Sequence, residues 1–116
     1  MSREWVLKAI GSLGLSDVEA EVYLFLAQTG PLKGRDIAKK LKLNNRQIYL
    51  SLKSLQDKGM VKATHEITIQ YDAVSLEKVL DQFMKEKEEQ AEALKASREE
   101  LLSTWRSMIK ENSATS

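Results

Sequence analysis

GRDIAKKLKLNNRQIYLSLKSLQDKG, residues 34–59, is the stretch on which the fold turns. Ile37, Ala38 and Leu41 share one face of a short helix over 34–41, with Lys39 and Lys40 on the other. Lys42-Leu43-Asn44 leaves room only for a tight connection. Asn44 or Asn45 then offers a side-chain oxygen to cap a second helix, predicted over about 45–58. Gly59 stands where a left-handed C-terminal cap belongs. Ile48, Leu52 and Leu55 cluster on the inner side of this second helix. Opposite them lie Arg46, Leu50, Lys53 and Asp57, with Gln47 and Ser54 on one flank and Tyr49 on the other. A short helix, a tight turn and a second helix make a helix-turn-helix, whose second helix enters the major groove of DNA.

Upstream, Trp5, Val6, Ala9, Ile10 and Leu13 form one helical stripe, predicting a helix over about 3–13 that Gly11 and Gly14 weaken at its end. Ser16-Asp17-Val18-Glu19 reads as a capping box. The helix it starts carries Ala20, Val22, Tyr23, Leu24, Phe25, Leu26 and Ala27, apolar almost all round, which marks a central core helix. Gly30-Pro31 ends it.

Downstream, Met60–Thr64 and Ile67–Tyr71 read as the two strands of a hairpin, the second alternating as Ile67, Ile69 and Tyr71. His65-Glu66 is a poor tight-turn pair and leaves the register open. A hairpin directly after a helix-turn-helix is a wing. Ser75 then begins a final helix with neither Gly nor Pro as far as about 110.

The formal net charge of +1 hides a strong asymmetry. Residues 31–65 hold nine Lys/Arg against two Asp/Glu, whereas 1–30 hold two against four and 66–116 seven against eleven. A basic middle in an acidic chain is the footprint of a polyanion-binding surface, or else a solvated lysine-rich face. The fold class expected is mainly α: a winged helix-turn-helix over 1–74, a long C-terminal dimerisation helix over 75–111, and a frayed tail over 112–116.

Residues 13–76 resemble the N-terminal winged-helix domain of the TrmB-type transcriptional regulators, a largely archaeal family. The resemblance lies in Leu13-Gly14-Leu15-Ser16 with Glu19-Ala20-Glu21-Val22-Tyr23, and in Asp36-Ile37-Ala38-Lys39-Lys40-Leu41. It continues through Arg46-Gln47-Ile48-Tyr49, Leu52 to Leu55, Lys58-Gly59-Met60-Val61 and Tyr71-Asp72-Ala73-Val74. It implies a transcriptional regulator binding double-stranded DNA. The sequence ends after one further helix, without the sugar-binding domain of the family's larger members, so sugar sensing is not expected.

Base edges are read chiefly near the start of a recognition helix. Asn45, Arg46, Gln47 and Leu50 are therefore the candidates for base contact: Arg46 suits guanine, Gln47 adenine, and Leu50 a thymine methyl. Leu50 reads equally as an ordinary exposed leucine. Tyr49 reads as a second-layer core residue, and Asp57 argues against phosphate near the helix end. Lys33, Arg35, Lys39, Lys40, Lys53 and Lys62 are candidates for phosphate contact, which positions without specifying. His65 reads as a polar residue of the wing.

The final helix carries a seam, Leu80, Met84, Lys87, Ala91, Leu94, Arg98, Leu101, Trp105 and Met108, in alternating steps of four and three. Such a stripe is too long to bury against residues 1–74. It predicts a partner helix, most simply from a second copy, with Leu80, Met84, Leu94, Leu101, Trp105 and Met108 at the contact. The alternative is an isolated, solvated helix. The apolar ends and polar centre of the seam suit parallel and antiparallel pairing alike.

With one His and no Cys, thiol nucleophiles, disulfides, and cysteine or clustered-histidine metal sites are excluded, and there is no Gly-rich phosphate loop. No enzyme activity, metal, cofactor or small-molecule effector is expected. With no apolar run long enough for a bilayer, a cytoplasmic location and no membrane association are expected. The rival to DNA binding is a winged-helix protein–protein interaction module.

Overall fold

The computed structural model describes residues 2–65 and 67–115, with side chains through residue 110. The elements are α1 (Arg3–Gly11), α2 (Asp17–Thr29), α3 (Gly34–Leu41), α4 (Asn45–Asp57), β1 (Val61–His65), β2 (Ile69–Ala73) and α5 (Leu76–Thr115). They divide into two compact units, Met1–Leu80 and Asp81–Ser116. The fold is a winged helix, mainly helical, with a two-stranded hairpin and a long C-terminal helix.

Side chains near each helix start explain where the first helices begin. The Ser2 hydroxyl accepts from the Trp5 amide at 3.1 Å to start α1. The Ser16 hydroxyl accepts from the Glu19 amide at 3.1 Å, and the Ser16 amide donates to Glu19 Oε1 at 2.9 Å, completing the capping box of α2. α1 stops at Gly11, two residues before its expected end. The Ser12 hydroxyl donates to the Ala9 carbonyl at 2.5 Å, and the Leu13 and Gly14 amides each return three residues at 3.0 Å, tightening the chain into a turn. Gly30 ends α2 at φ 85°, in backbone space that side chains rarely tolerate.

The hairpin differs from the strands read in the sequence. Its register runs from Val61↔Ala73 to His65↔Ile69, one residue later on the first strand and two on the second. One local and one distant constraint act on it. At the end of α4 the Met60 amide returns to the Leu55 carbonyl at 2.9 Å and the Gly59 amide to Gln56 at 3.0 Å, a Schellman closure that buries Met60 and delays the strand to Val61. Leu32, just past Pro31, exchanges both backbone hydrogen bonds with Tyr71, at 3.1 and 2.8 Å, as an isolated antiparallel bridge beside the hairpin. Ile67 and Thr68 precede β2, and Ile67 is 99% exposed instead of continuing the strand alternation. Glu66 lies outside the described residues.

Val22, Leu26, Ile37, Ile48, Leu52 and Leu55 are the fully buried centre of the core. Each such side chain stabilises the fold by about 1.5–3 kcal/mol through burial. The Tyr23 hydroxyl donates to the Val74 carbonyl at 2.7 Å, tying α2 to the exit from the wing. Val79 is buried in the same core, so the first unit runs past residue 74 to Leu80. α5 is helical in its backbone to Thr115, beyond the expected end at 111, because nothing in it is Gly or Pro. The tail expected over 112–116 is helical as far as it is described, and Ser116 lies outside the described residues.

One buried charge joins three parts of the unit. Glu19, 8% exposed, takes the Lys58 ammonium on Oε2 at 3.0 Å, and the same ammonium donates to the Gly14 carbonyl at 2.9 Å. Burial disfavours the charged carboxylate. Hydrogen bonds from Ser54, the Ser16 amide, Lys58 and the Ser16 hydroxyl outweigh it and hold the Glu19 carboxyl at about 2, below the ordinary 4.5. A carboxyl depressed by folding stabilises the native state above its unfolded pKa, and that contribution is lost as pH falls through the folded one. Unfolding free energy from denaturant titration should drop by up to about 3 kcal/mol between pH 5 and pH 2 on this account. Glu19→Gln keeps a capping-box acceptor and should flatten that segment of the profile. An unchanged slope in the variant would show that other carboxylates carry the acid lability.

Candidate nucleic-acid interface

The turn between α3 and α4 is closed by backbone geometry that a lysine adopts. Lys42 lies in the left-handed region at φ 56°, and the Leu43 amide returns to the Ala38 carbonyl at 2.8 Å. Asn44 is the cap of α4: its Oδ1 accepts from the Gln47 amide at 2.8 Å, and its own amide donates to Gln47 Oε1 at 3.0 Å. A second reciprocal capping box thus begins the second helix of the pair, and Asn45 is left free at the first helical position.

The buried face of α4 is Ile48, Ser51, Leu52 and Leu55. Asn45, Arg46, Leu50 and Lys53 are exposed. Gln47 is exposed too, but its side chain is turned back into the cap, so its carbonyl oxygen is already engaged. Tyr49 is 48% exposed and so is no second-layer core residue. Its ring lies over the start of α3, where a Cβ added at Gly34 would stand 2.9 Å from Cε1. A side chain at position 34 would require that ring to shift.

Tyr49, Tyr71, Thr68 and Ile69, with Lys33, Gly34 and Arg35, line an open cleft of about 290 Å³ between α3, α4 and the wing. Burial, and after it the neighbouring Tyr49 phenol, raises the pKa of Tyr71. Arg35, Lys39 and Lys40 are exposed on α3, Lys33 is half-buried at its start, and Lys53 is exposed on α4. Lys62 is exposed on β1, in register with Asp72 of β2, and His65 ends β1 opposite Ile69. Lys58 belongs to this basic segment in sequence but is committed to Glu19 and Gly14.

The structure therefore brings Arg35, Lys33 and Tyr49 to one cleft with the wing and leaves Arg46 and Leu50 projecting from α4. Sequence reasoning missed three features: the Leu32 bridge, the Tyr49 ring over Gly34, and the Lys58 lock. Only a glycine in the first turn of a helix, where it is a poor helix former, hinted at the second. On α5, Leu80, Met84, Leu94, Leu101, Trp105 and Met108 are all exposed, between 38% and 62%. Among the described residues no helix is long and apolar enough to cross a membrane, and no group of three or more His, Asp or Glu side chains is placed to hold a metal.

The sequence profile of the family described as sugar-specific transcriptional regulator TrmB matches residues 10–77. The uncharacterized protein YrhO of Bacillus subtilis strain 168 is 33% identical over 78 residues, which cover 67% of this chain and 28% of that relative. The structure of TrmBL2, described as an archaeal chromatin protein with a novel mode of DNA binding, aligns at a TM-score of 0.76 and 28% identity. That alignment covers 89% of this chain and 42% of TrmBL2, so the chain spans less than half the length of either relative. A possible transcriptional regulator from Methanosarcina mazei Go1 shares the fold at a TM-score of 0.63 and 18% identity, over 86% of this chain and 88% of its own.

The Asn44 cap provides a test of the helix start. Asn44→Ala removes the acceptor for the Gln47 amide and should cost about 1 kcal/mol of stability in urea unfolding, within a range of about 0.5–2. Asn45→Ala, which removes no cap, should stay within about 0.5 kcal/mol of the unsubstituted protein. The reverse order would place the cap at Asn45.

Proposed function

The chain belongs to the TrmB family of transcriptional regulators, and from that premise we propose that it binds specific double-stranded DNA sites as a homodimer, with α4 in the major groove. The observation that carries this reading is the coincidence of the basic segment 31–65 with the exposed side of α3 and α4. The family is a regulator type and generally not enzymatic. The matched residues 10–77 are the winged helix itself, so recognition of a sugar forms no part of the proposal.

In this reading Arg46 reaches the paired acceptors of a guanine, and Asn45 and Leu50 meet neighbouring base edges. Gln47 contributes through its amide nitrogen, since its oxygen holds the cap. Lys33, Arg35, Lys39, Lys40, Lys53 and Lys62 neutralise phosphates and set the register. Asp57 keeps the far end of α4 off the backbone. The cleft between Tyr49 and the wing sits beside Lys33 and Arg35, where a sugar-phosphate strand fits between α4 and the hairpin. A cytoplasmic location is part of the same proposal.

Affinity for arbitrary duplex should fall steeply with salt, because each neutralised phosphate releases counterions. At a site selected from random duplex, Arg46→Ala should cost about 1–3 kcal/mol and relax preference at one base position. Lys39→Ala should weaken all sequences alike and flatten the salt slope. Fluorescence anisotropy over a salt series reads all three. Binding that is absent at low salt, or indifferent to salt, would favour the protein-interaction module.

The exposed seam of α5 supports the dimer. Exposed apolar stripes of this length mark interfaces. A two-fold dimer of this kind prefers an inverted repeat. In analytical ultracentrifugation the full chain should sediment as a dimer, and a chain ending after Gln82 as a folded monomer, since Val79 and the rest of the core remain. The truncated chain should bind a half-site more weakly. A truncation that still dimerises at the same concentration would move the interface elsewhere.

A further inference from the structure

The charges within the α5 seam discriminate between the two ways of pairing it. Along Asp81–Lys110 the seam is Met84, Lys87, Ala91, Leu94, Arg98, Leu101, Trp105 and Met108, interrupted twice by a cation. Met84, Leu94, Leu101, Trp105 and Met108 are each more than half exposed, and among the described residues this unit has no other element against which to bury them. In a parallel in-register pair every seam residue meets its own copy. Lys87 would face Lys87 and Arg98 would face Arg98, two like-charge layers brought out of water together. Ala91 on Ala91 would leave a gap, and Trp105 on Trp105 would crowd the layer.

We infer that α5 pairs with a second copy of this chain in antiparallel orientation, in the register that sets Met84 against the partner's Met108, Lys87 against the partner's Trp105, Ala91 against the partner's Leu101 and Leu94 against the partner's Arg98. The inference rests on the dimer reading above and adds its direction and register. No layer in this arrangement holds two cations; the two copies of Arg98 fall in adjacent central layers, about 6 Å apart along the axis, each beside its own Glu99. The small Ala91 meets a leucine. The Lys87 ammonium meets the indole that binds cations best. Two conformations in the structure fit these roles. Lys87 already holds its ammonium 5.2 Å from the centroid of the Phe83 ring, presenting its charge to an aromatic face. Arg98 turns its guanidinium sideways to Glu99, at 2.6 Å, which leaves its aliphatic stem to cover a leucine.

Charge along the helix agrees. Residues 81–96 are net acidic and 97–110 net basic, so the antiparallel pair lays each half on its opposite. Sliding the pair by one heptad removes the match. One direction sets Lys87 against the partner's Arg98. The other matches Met84 and Lys87 with the polar 112–115 end of the sequence.

The absence of native cysteine makes introduced thiols unambiguous. Met84→Cys, Met108→Cys and the double variant, all in the full chain, are oxidised under mild conditions and run on non-reducing gels. Binding to a selected duplex and sedimentation report that each variant is folded and dimeric. In the antiparallel register the two copies of position 84 lie about 36 Å apart along the axis, far beyond the roughly 4–7 Å between Cα atoms that a disulfide spans. Neither single variant should crosslink. The double variant should double in apparent mass, with peptide mapping joining position 84 to position 108. Crosslinking of Met84→Cys alone would overturn the antiparallel orientation and leave the dimer standing. A dimer that crosslinks in no variant would overturn the register. A monomer in sedimentation would overturn both the inference and the dimer reading beneath it.

Discussion

Ile48, Leu52 and Leu55 leave α4 no freedom to roll. All three are fully buried in one cluster with Val22 and Leu26 of α2 and Ile37 of α3. Turning the helix by one residue would expose two of them and bury Lys53 or Arg46, at a cost of several kcal/mol in lost apolar burial and in desolvated charge. With the inner face held, the outer face is held as well. The direction in which Arg46 and Leu50 project is a consequence of core packing. This is why a core that contributes no atom to a ligand decides what surface is presented to one.

Burial fixes the roll of α4; its position along its own axis depends on its two ends. At the start, the reciprocal hydrogen bonds between Asn44 and Gln47 meet amides that would otherwise lack partners. At the end, Met60 and Gly59 return to Leu55 and Gln56. Beyond that closure Lys58 reaches across to Glu19 and Gly14, so the end of α4 is tied to the start of α2 by a charge-assisted bond in a partly dry setting. The capping glutamate of α2 is thus also the anchor for α4. Removing Lys58 would leave a buried carboxylate short of one partner, a costlier change than the loss of a surface ion pair such as Arg3–Glu21, whose two side chains are exposed.

The second unit obeys a different rule. Beyond Leu80 the helix buries no side chain among the described residues, and its stability comes from intrahelical hydrogen bonds and local pairs such as Lys95–Glu92. Pairs of that kind contribute a few tenths of a kcal/mol each. A stripe of Met, Leu and Trp facing water along such a helix would gain apolar burial by the association proposed above. Lys87 and Arg98 within the stripe cost affinity in most pairings, and that cost is what gives a seam direction.

The elements, their order and most of their ends were legible in the sequence, because each depends on residues within a turn or two. Ser16 with Glu19, Gly30 before Pro31, and Gly59 after a helical stripe are local chemistry, and periodicity alone separates Ile48, Leu52 and Leu55 from Arg46 and Leu50. The basic segment was legible for the same reason, since charge is additive along the chain. The tertiary structure decided what depends on distant partners. The pairing of Leu32 with Tyr71 beside the hairpin leaves no mark inside the strands themselves. The commitment of Lys58 to Glu19, 39 positions away, withdrew one cation from the nine Lys/Arg counted over 31–65. The resting of Tyr49 on Gly34 turned an expected core residue outward into the cleft beside the wing. Local hydrogen bonds and periodicity are written in neighbouring residues, whereas the partner of a buried charge, the edge to which a strand is added and the surface on which a ring rests are chosen only when the chain folds back on itself.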